Sequence, residues 1–398
     1  MSRRNRTWRL VALLIAAGLF MAACGSSSKK ASTGGNNGAK TGAKAFSLAY
    51  VGPLTGDSAN LGINIRNGAK TAVQEFNDAN PGYKITLKEF DTQGDPAQAP
   101  TVADKYISDD KILGIVGPAF SGETKAVLPT LEENKLVMVS ASATNTALPD
   151  VVKNSKVFHR VLPDDAAQAA GVAKYLQTKL KPKTIAIVHD NTEYGKGLAV
   201  DQLAKQLGSI KLVDTEAIDP KSQDYSAAVN KVKAANPDVV FYGGYYEQAG
   251  RLKKQLADAQ VKATFISGDG ALDVGFVKAA GSAADGALLS CPCYFASDAS
   301  PGKIGTFAKK YSEVNKGAVP GTYSTEAYDA ANILMKGIKA GNKDRESLLK
   351  YVDGIKRADV AISKDVTFAK NGNIEAQGIF IFEVKNGKIV LNIATDKL

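Results

Sequence analysis

The side chains with chemistry to offer sit in turns that follow short apolar runs. Ser121 lies in Gly117-Pro118-Ala119-Phe120-Ser121-Gly122, after the run 112–116 and before helix-period sequence. At such a helix start its hydroxyl is placed as an N-cap, and the neighbouring unpaired N–H groups suit an anion. Plain capping is the competing use of the same serine. A second hydroxyl-rich turn, Ala141-Ser142-Ala143-Thr144, follows the run 137–140. Farther along, Tyr194-Gly195 follows 184–189, Gly243-Gly244-Tyr245 follows 239–242, and Gly268-Asp269-Gly270 follows 264–267. One half thus offers hydroxyls and N–H groups, the other tyrosines and a carboxylate. That set complements a small zwitterion with an apolar tail, since a carboxylate needs donors, an ammonium needs acceptors, and burying either unpaired is costly.

Catalytic signatures are missing. Gly195-Lys196-Gly197 lacks the upstream glycine of a P-loop, Gly268-Asp269-Gly270 fails a dinucleotide fingerprint at Asp273, and no G-x-S-x-G elbow occurs. The two histidines, His159 and His189, fall on apparent strands and read as structural. With three cysteines besides, little material remains for a metal centre, and no cofactor is expected. Cys291-Pro292-Cys293 permits a local disulfide, because Cα atoms two residues apart can fall within about 4.4–6.8 Å. Two free thiols are the alternative.

These turns must be held by strands and helices, and the chain supplies both in alternation. Strand-like runs at 46–52, 85–90, 112–116 and 137–140 are separated by helix-period segments at 60–80, 96–108 and 122–133. After Phe158-His159-Arg160-Val161 a second round begins. Its helices are expected at 166–180, 196–207, 225–235 and 248–259, and its strands at 184–189, 212–217, 239–242 and 264–267. Such alternation means parallel strands joined by crossover helices, hence an α/β fold with helices on both faces of each sheet. Helices near 304–315, 324–340 and 346–352 precede two strand-like runs, 378–384 and 388–393, with the hairpin signal Asn386-Gly387 between them. No Gly/Ser/Pro linker separates the two rounds, which points to two lobes joined by a hinge.

The 398 residues are 44% hydrophobic and 23% charged, an ordinary globular composition. The formal charge of +10 resides mainly at the amino end. Arg3, Arg4, Arg6, Arg9, Lys29, Lys30, Lys40 and Lys44 lie in a stretch without acids, so residues 46–398 keep only two of the ten excess charges. A nucleic-acid-binding face is therefore not expected. The arginines precede the apolar run 10–20, far short of the ~20 residues that span a bilayer and suited to a signal peptide. Met21-Ala22-Ala23-Cys24 resembles a bacterial lipoprotein signal, in which Cys24 is lipidated and becomes the new terminus. Residues 1–23 then form the leader, by the general or the twin-arginine export route, and 24–45 a flexible tether without large apolar side chains.

Ile185-Ala186-Ile187-Val188-His189-Asp190, Tyr194-Gly195-Lys196-Gly197-Leu198-Ala199 and Phe241-Tyr242-Gly243-Gly244-Tyr245 carry a resemblance. With Gly52-Pro53-Leu54-Thr55-Gly56 and Ala327-Tyr328-Asp329-Ala330, the chain resembles the periplasmic-type leucine/isoleucine/valine-binding proteins of ABC importers over essentially all of 46–398. The resemblance implies the type I periplasmic binding protein fold: two Rossmann-like, three-layer lobes with parallel-rich sheets and a hinge crossed three times, near 162, 292 and 379. One lobe would comprise 46–162 plus 292–378, the other 163–291 plus 379–398. Cys291-Pro292-Cys293 would lie at a hinge crossing, where a disulfide would stiffen it.

By position, Ser121 matches the serine that grips the ligand carboxylate. Ser142 matches a position whose backbone contacts ligand, and Thr144 the threonine that helps hold both charged groups. Tyr194 and Tyr245 match aromatics of the opposite lobe, and Tyr323 one that walls the pocket. Asp269 stands where better-known members carry a glutamate that pairs with the ligand ammonium. Leu61 replaces a frequent aromatic, and Gly94 and Phe120 lack a disulfide seen in some relatives. The resemblance further implies a non-enzymatic, monomeric, extracytoplasmic protein, tethered to the membrane by lipid, that passes a small amino acid to an ABC permease. Relatives also take amides, urea-like compounds and aromatic acids, and a ligand-sensing module for a signalling receptor is the other expectation to be weighed.

Overall fold

The computed structural model describes residues 43–356, 362, 366–374 and 378–398. The leader and Cys24 lie outside the described residues. The first lobe is built on strands β1 (Lys44–Gly52), β2 (Tyr83–Asp91), β3 (Ile112–Val116), β4 (Val137–Ser140) and β5 (Phe158–Arg160). Helices α1 (Ala59–Ala79), α2 (Ala99–Ile107) and α3 (Ser121–Glu133) connect them. The strands are all parallel, in the order β2-β1-β3-β4-β5. Right-handed crossovers place α1 on one face and α2 and α3 on the other. β3 and β4 are buried along their whole length, so their sequences read as unbroken apolar runs rather than alternating ones.

The chain then passes to a second sheet. There α4 (Asp165–Tyr175, prolonged by a π turn), β6 (Thr184–His189), α5 (Glu193–Lys196, prolonged likewise) and β7 (Lys211–Ala217) come first. They are followed by α6 (Ser226–Ala235), β8 (Val239–Gly243), α7 (Tyr246–Asp258), β9 (Thr264–Ser267), α8 (Val274–Ala280) and β10 (Leu288–Cys291). After Cys293 the chain returns to the first lobe as α9 (Gly302–Val314), α10 (Ser324–Lys339) and α11 (Arg345–Asp353). It ends in the second sheet with β11 (Phe380–Lys385) and β12 (Lys388–Ala394). Asn386 and Gly387, both at positive φ (50° and 69°), make the tight turn between these two strands.

The second sheet runs β12-β11-β10-β9-β8-β6-β7, with β11 and β12 antiparallel and the rest parallel. Its parallel strands repeat the order of the first sheet, second-first-third-fourth-fifth. Each lobe therefore has a switch point where the winding reverses, β1/β3 in one and β6/β8 in the other. Ligands of such sheets bind beyond the carboxyl ends of the strands at that point. The serine, tyrosine and aspartate turns all leave from those ends.

Two elements were not legible in the sequence. β10 is only four residues long and runs straight into Cys-Pro-Cys, and α8 spans seven residues. Cys291 and Cys293 are joined by a disulfide with Cα atoms 5.1 Å apart, both side chains fully buried. His159 lies on β5 against the Phe368 ring, with burial pushing its pKa down to about 4. The His189 Nδ1 accepts the N–H of Asn191. Both positions are structural.

Candidate ligand-binding site

The turn after β3 enters α3 through Phe120, which is extended (φ −107°, ψ 155°), so Ser121 is the first helical residue and not the cap. The capping work falls to Glu123, whose carboxylate accepts the N–H of Phe120 at 2.9 Å and the hydroxyl of Thr92. Ser121 is thereby released, and its Oγ accepts the N–H of Asn145 at 3.1 Å. Ser142 donates its hydroxyl to the Ala119 carbonyl, and Ser140 donates to the Pro118 carbonyl at 2.8 Å while accepting the N–H of Ala143. These bonds lace the turn after β3 to the turn after β4. They also fix Thr144, which is fully buried and whose hydroxyl has no hydrogen-bond partner among the described residues.

From the second lobe, Tyr194 at the start of α5 donates to Asp269 Oδ1 at 2.6 Å and accepts the N–H of Gly270 at 2.9 Å. Tyr323, from the first lobe, donates to Asp269 Oδ2 at 2.7 Å. Tyr323 sits in the left-handed region (φ 68°, ψ 2°), which a large side chain seldom adopts. Such strain is characteristic of functional positions and persists because the surroundings hold it. Here they include the bond of Thr322 to the Leu272 carbonyl as well as that of Tyr323 to Asp269. Tyr245 packs between Tyr194 (5.3 Å between ring centres) and Phe120 (4.4 Å). The seven residues marked in the sequence, Ser121, Ser142, Thr144, Tyr194, Tyr245, Asp269 and Tyr323, thus converge between the lobes.

Three further residues belong there that sequence reasoning passed over. Asp164 caps α4 by accepting the N–H of Ala167, which leaves Asp165 free to point elsewhere. Asp165 is fully buried with its carboxylate facing the Thr144 hydroxyl, and neither oxygen is in hydrogen-bond geometry with a partner among the described residues. Burial, and then the nearby charge of Asp269, push its pKa far up. Gln168 donates to Ser290 through Nε2, and its buried Oε1 has no partner among the described residues. Two acidic residues at a helix start were the available signal, since only one can serve as the cap.

Arg160 is the third. Its side chain is wholly buried and donates to the carbonyls of Ala143 (3.1 Å) and Asn145 (2.9 Å), on either side of Thr144. It also donates to Asn373 and Asp164. One guanidinium therefore ties the hydroxyl turn to two of the segments that cross between the lobes.

The electrostatic character follows. Asp269 is pushed up by burial and held back by the Tyr194 and Tyr323 hydroxyls. Buried polar groups in native proteins are nearly always paired, so the acceptor oxygens of Asp165 and Gln168, without partners among the described residues, form a spot whose chemistry suits a donor-rich cation. Nearby, the start of the thirteen-residue helix α3 presents backbone donors suited to an anion. Among the described residues no group of His, Cys, Asp or Glu is arranged to hold a metal ion.

The lobes meet around this site. Lys125 and Glu193 form an exposed ion pair at 2.7 Å, Asn145 donates to the Glu193 carbonyl, and Asn60 donates to Asp273 at 2.9 Å.

Residues 46–388 match the family model described as periplasmic binding protein. A Leu/Ile/Val-binding protein of Rhizobium johnstonii is 34% identical over 351 residues, 87% of this chain and 93% of its own. The leucine-, isoleucine-, valine-, threonine- and alanine-binding protein of Pseudomonas aeruginosa is 30% identical over 312 residues, 77% of this chain and 81% of its own. A leucine-binding protein of Thermotoga maritima, solved by crystallography, superimposes with a TM-score of 0.78 at 25% identity, covering 89% of this chain and all of that one. Paired sheets of the same winding, polar turns gathered at their switch points and likeness along nearly the whole chain lead to one assignment: this protein belongs to the periplasmic binding protein family and has its type I fold.

Proposed function

We propose that this chain is an extracytoplasmic, lipid-anchored substrate-binding protein that captures leucine, isoleucine or valine and delivers it to an ABC permease. It performs no chemistry on its ligand. Asp269, Asp165 and Thr144 receive the α-ammonium, while Ser121 and the backbone donors at the start of α3 receive the α-carboxylate. Tyr194, Tyr245 and Tyr323 close over the ligand, and the Ser142 turn supports it through the backbone. The observation that carries this reading is the buried pair of acceptors at Asp165 and Gln168, unpartnered among the described residues, with the Thr144 hydroxyl beside them and a helix start nearby.

The lobes, 46–162 with 292–378 and 163–291 with 379–398, move as bodies about the three crossings. Ligand favours the closed form because only that form completes contacts from both lobes. A lipid on Cys24 holds the protein, as a monomer, at the outer face of the membrane, and residues up to 45 give it reach. The branched-chain choice rests on relatives named for these ligands. Because an apolar pocket separates side chains differing by one methylene by only about 1–3 kcal/mol, the three ligands should overlap.

The test is calorimetry on protein unfolded and refolded to remove carried ligand. Leucine, isoleucine and valine should bind at micromolar Kd or tighter, and glutamate and urea should not. Binding of an amide or an aromatic acid in place of every α-amino acid would overturn the ligand assignment.

A further inference from the structure

Resting on the ligand reading above, we propose that Asp165 is the residue that makes closure conditional on a cation. Its ionised carboxylate holds the empty lobes apart, and the ligand ammonium releases that hold. Asp165 opens α4, just after the chain passes from the first sheet to the second. Its backbone N–H donates to the Thr144 carbonyl at 2.9 Å, which sets it against the hydroxyl turn. The carboxylate is fully buried there, with neither oxygen in hydrogen-bond geometry with a partner among the described residues.

The charged and titratable groups facing Asp165 do not compensate its charge. Asp164, on the same helix start, and Asp269, in the turn after β9, carry the same sign. The cation facing it is Arg160 of β5, whose guanidinium is already engaged. It donates to the carbonyls of Ala143 and Asn145, to Asn373 and to Asp164. Tyr194, Tyr245 and Tyr323 face Asp165 from α5, the turn after β8 and the start of α10, and burial keeps their hydroxyls neutral. Two of these hydroxyls, of Tyr194 and Tyr323, donate to Asp269. Asp269 is thus the carboxylate supported as an anion, and Asp165 is the one left without support.

Burying an ionised carboxyl without countercharge or donors is prohibitive, and a second carboxylate beside it adds to the cost. Closed around an empty site, Asp165 must take a proton. Burial, and then Asp269, accordingly raise its pKa far above the ordinary 3.8. When the lobes part, water enters and the carboxyl returns toward its ordinary range. The closed empty form therefore binds one proton more than the open one, and its share falls by up to tenfold for each unit that pH rises. A ligand ammonium supplies charge and donors directly, so closure no longer needs the proton. At neutral pH empty molecules are thereby kept from presenting the closed form to the permease.

The experiment is small-angle X-ray scattering of the refolded protein and of Asp165→Asn at pH 5 and pH 8, each with and without leucine, with thermal unfolding to confirm that the variant is folded. Without ligand, the unaltered protein should be open at pH 8 and should shift toward the radius of gyration of the closed structure at pH 5. Asp165→Asn keeps the shape of the side chain and removes its charge, so its empty form should shift toward closed dimensions at both pH values. An empty variant as open as the unaltered protein at pH 8, or a pH response that the substitution leaves intact, overturns the proposal. Should Asp165→Asn fail to fold, the unaltered protein decides the matter, and no compaction between pH 8 and pH 5 overturns the proposal. Compaction of the unaltered protein by leucine at pH 8 is a separate readout. Its absence overturns the ligand reading, while the comparison of empty proteins still decides the role of Asp165.

Discussion

Glu123 is buried behind the ligand turn, where it holds the N–H of Phe120 and the hydroxyl of Thr92, and burial pushes its pKa up to about 7. An unfolded chain would titrate it near 4.5. Between those values the native state binds more protons than the unfolded one. Its contribution is therefore intact below pH 4.5 and lost as pH rises through 7. His159 works in the opposite sense: with its pKa lowered to about 4, stability is lost as pH falls from 6.5 toward 4. Glu123→Gln keeps an acceptor for Phe120 without the charge, so it should gain on the unaltered protein by up to about 3 kcal/mol between pH 5 and pH 8. Urea unfolding at the two pH values measures this, and an equal difference at both would refute it. At this scale the sequence was half legible. Ser121 and Asp269 could be marked because turns after apolar strands expose them. Asp165 and Arg160 could not, because only the fold shows which acid caps α4 and where a buried arginine points.

Helix packing sets the first-lobe side of the site. α10, which begins just after Tyr323, lies so close to α1 that a Cβ on Gly68 would fall 2.2 Å from the Ser324 carbonyl oxygen. Alanine is favoured over glycine in a helix by about 1 kcal/mol, but overpacking costs about 1–3 kcal/mol. A backbone oxygen cannot rotate away, so the clash prevails. Gly68→Ala should lower the unfolding midpoint and, by displacing the start of α10 and Tyr323, weaken ligand binding as well. Gly82→Ala, with no atom within 4 Å of its Cβ, should do neither. A stabilised Gly68→Ala protein would contradict this packing. The elements themselves were largely readable. Strands at 112–116, 137–140, 184–189 and 264–267 stand where the apolar runs put them, because fully buried strands bounded by turn residues leave little latitude. β10 and α8 escaped because their period is too short to register over four and seven residues.

For the molecule as a whole, location and closure are the two claims. If Cys24 bears the lipid, Cys24→Ser should move the protein from the membrane fraction to the soluble fraction while leaving ligand affinity within about twofold. Retention of the variant on membranes would exclude that anchor. The central claim is that both charges of an α-amino acid are clamped between the lobes, and it is tested most directly with skeletons that lack one charge. Calorimetry should compare leucine with 4-methylpentanoic acid, which has no amine, and with 3-methylbutylamine, which has no carboxylate. Each lost charge-assisted contact should weaken binding by about 2 kcal/mol or more, roughly thirtyfold. Asp269→Ala should impose a similar loss on leucine but almost none on 4-methylpentanoic acid. Equal binding of 4-methylpentanoic acid and leucine, or an Asp269→Ala protein that holds leucine as tightly as before, would contradict the clamp.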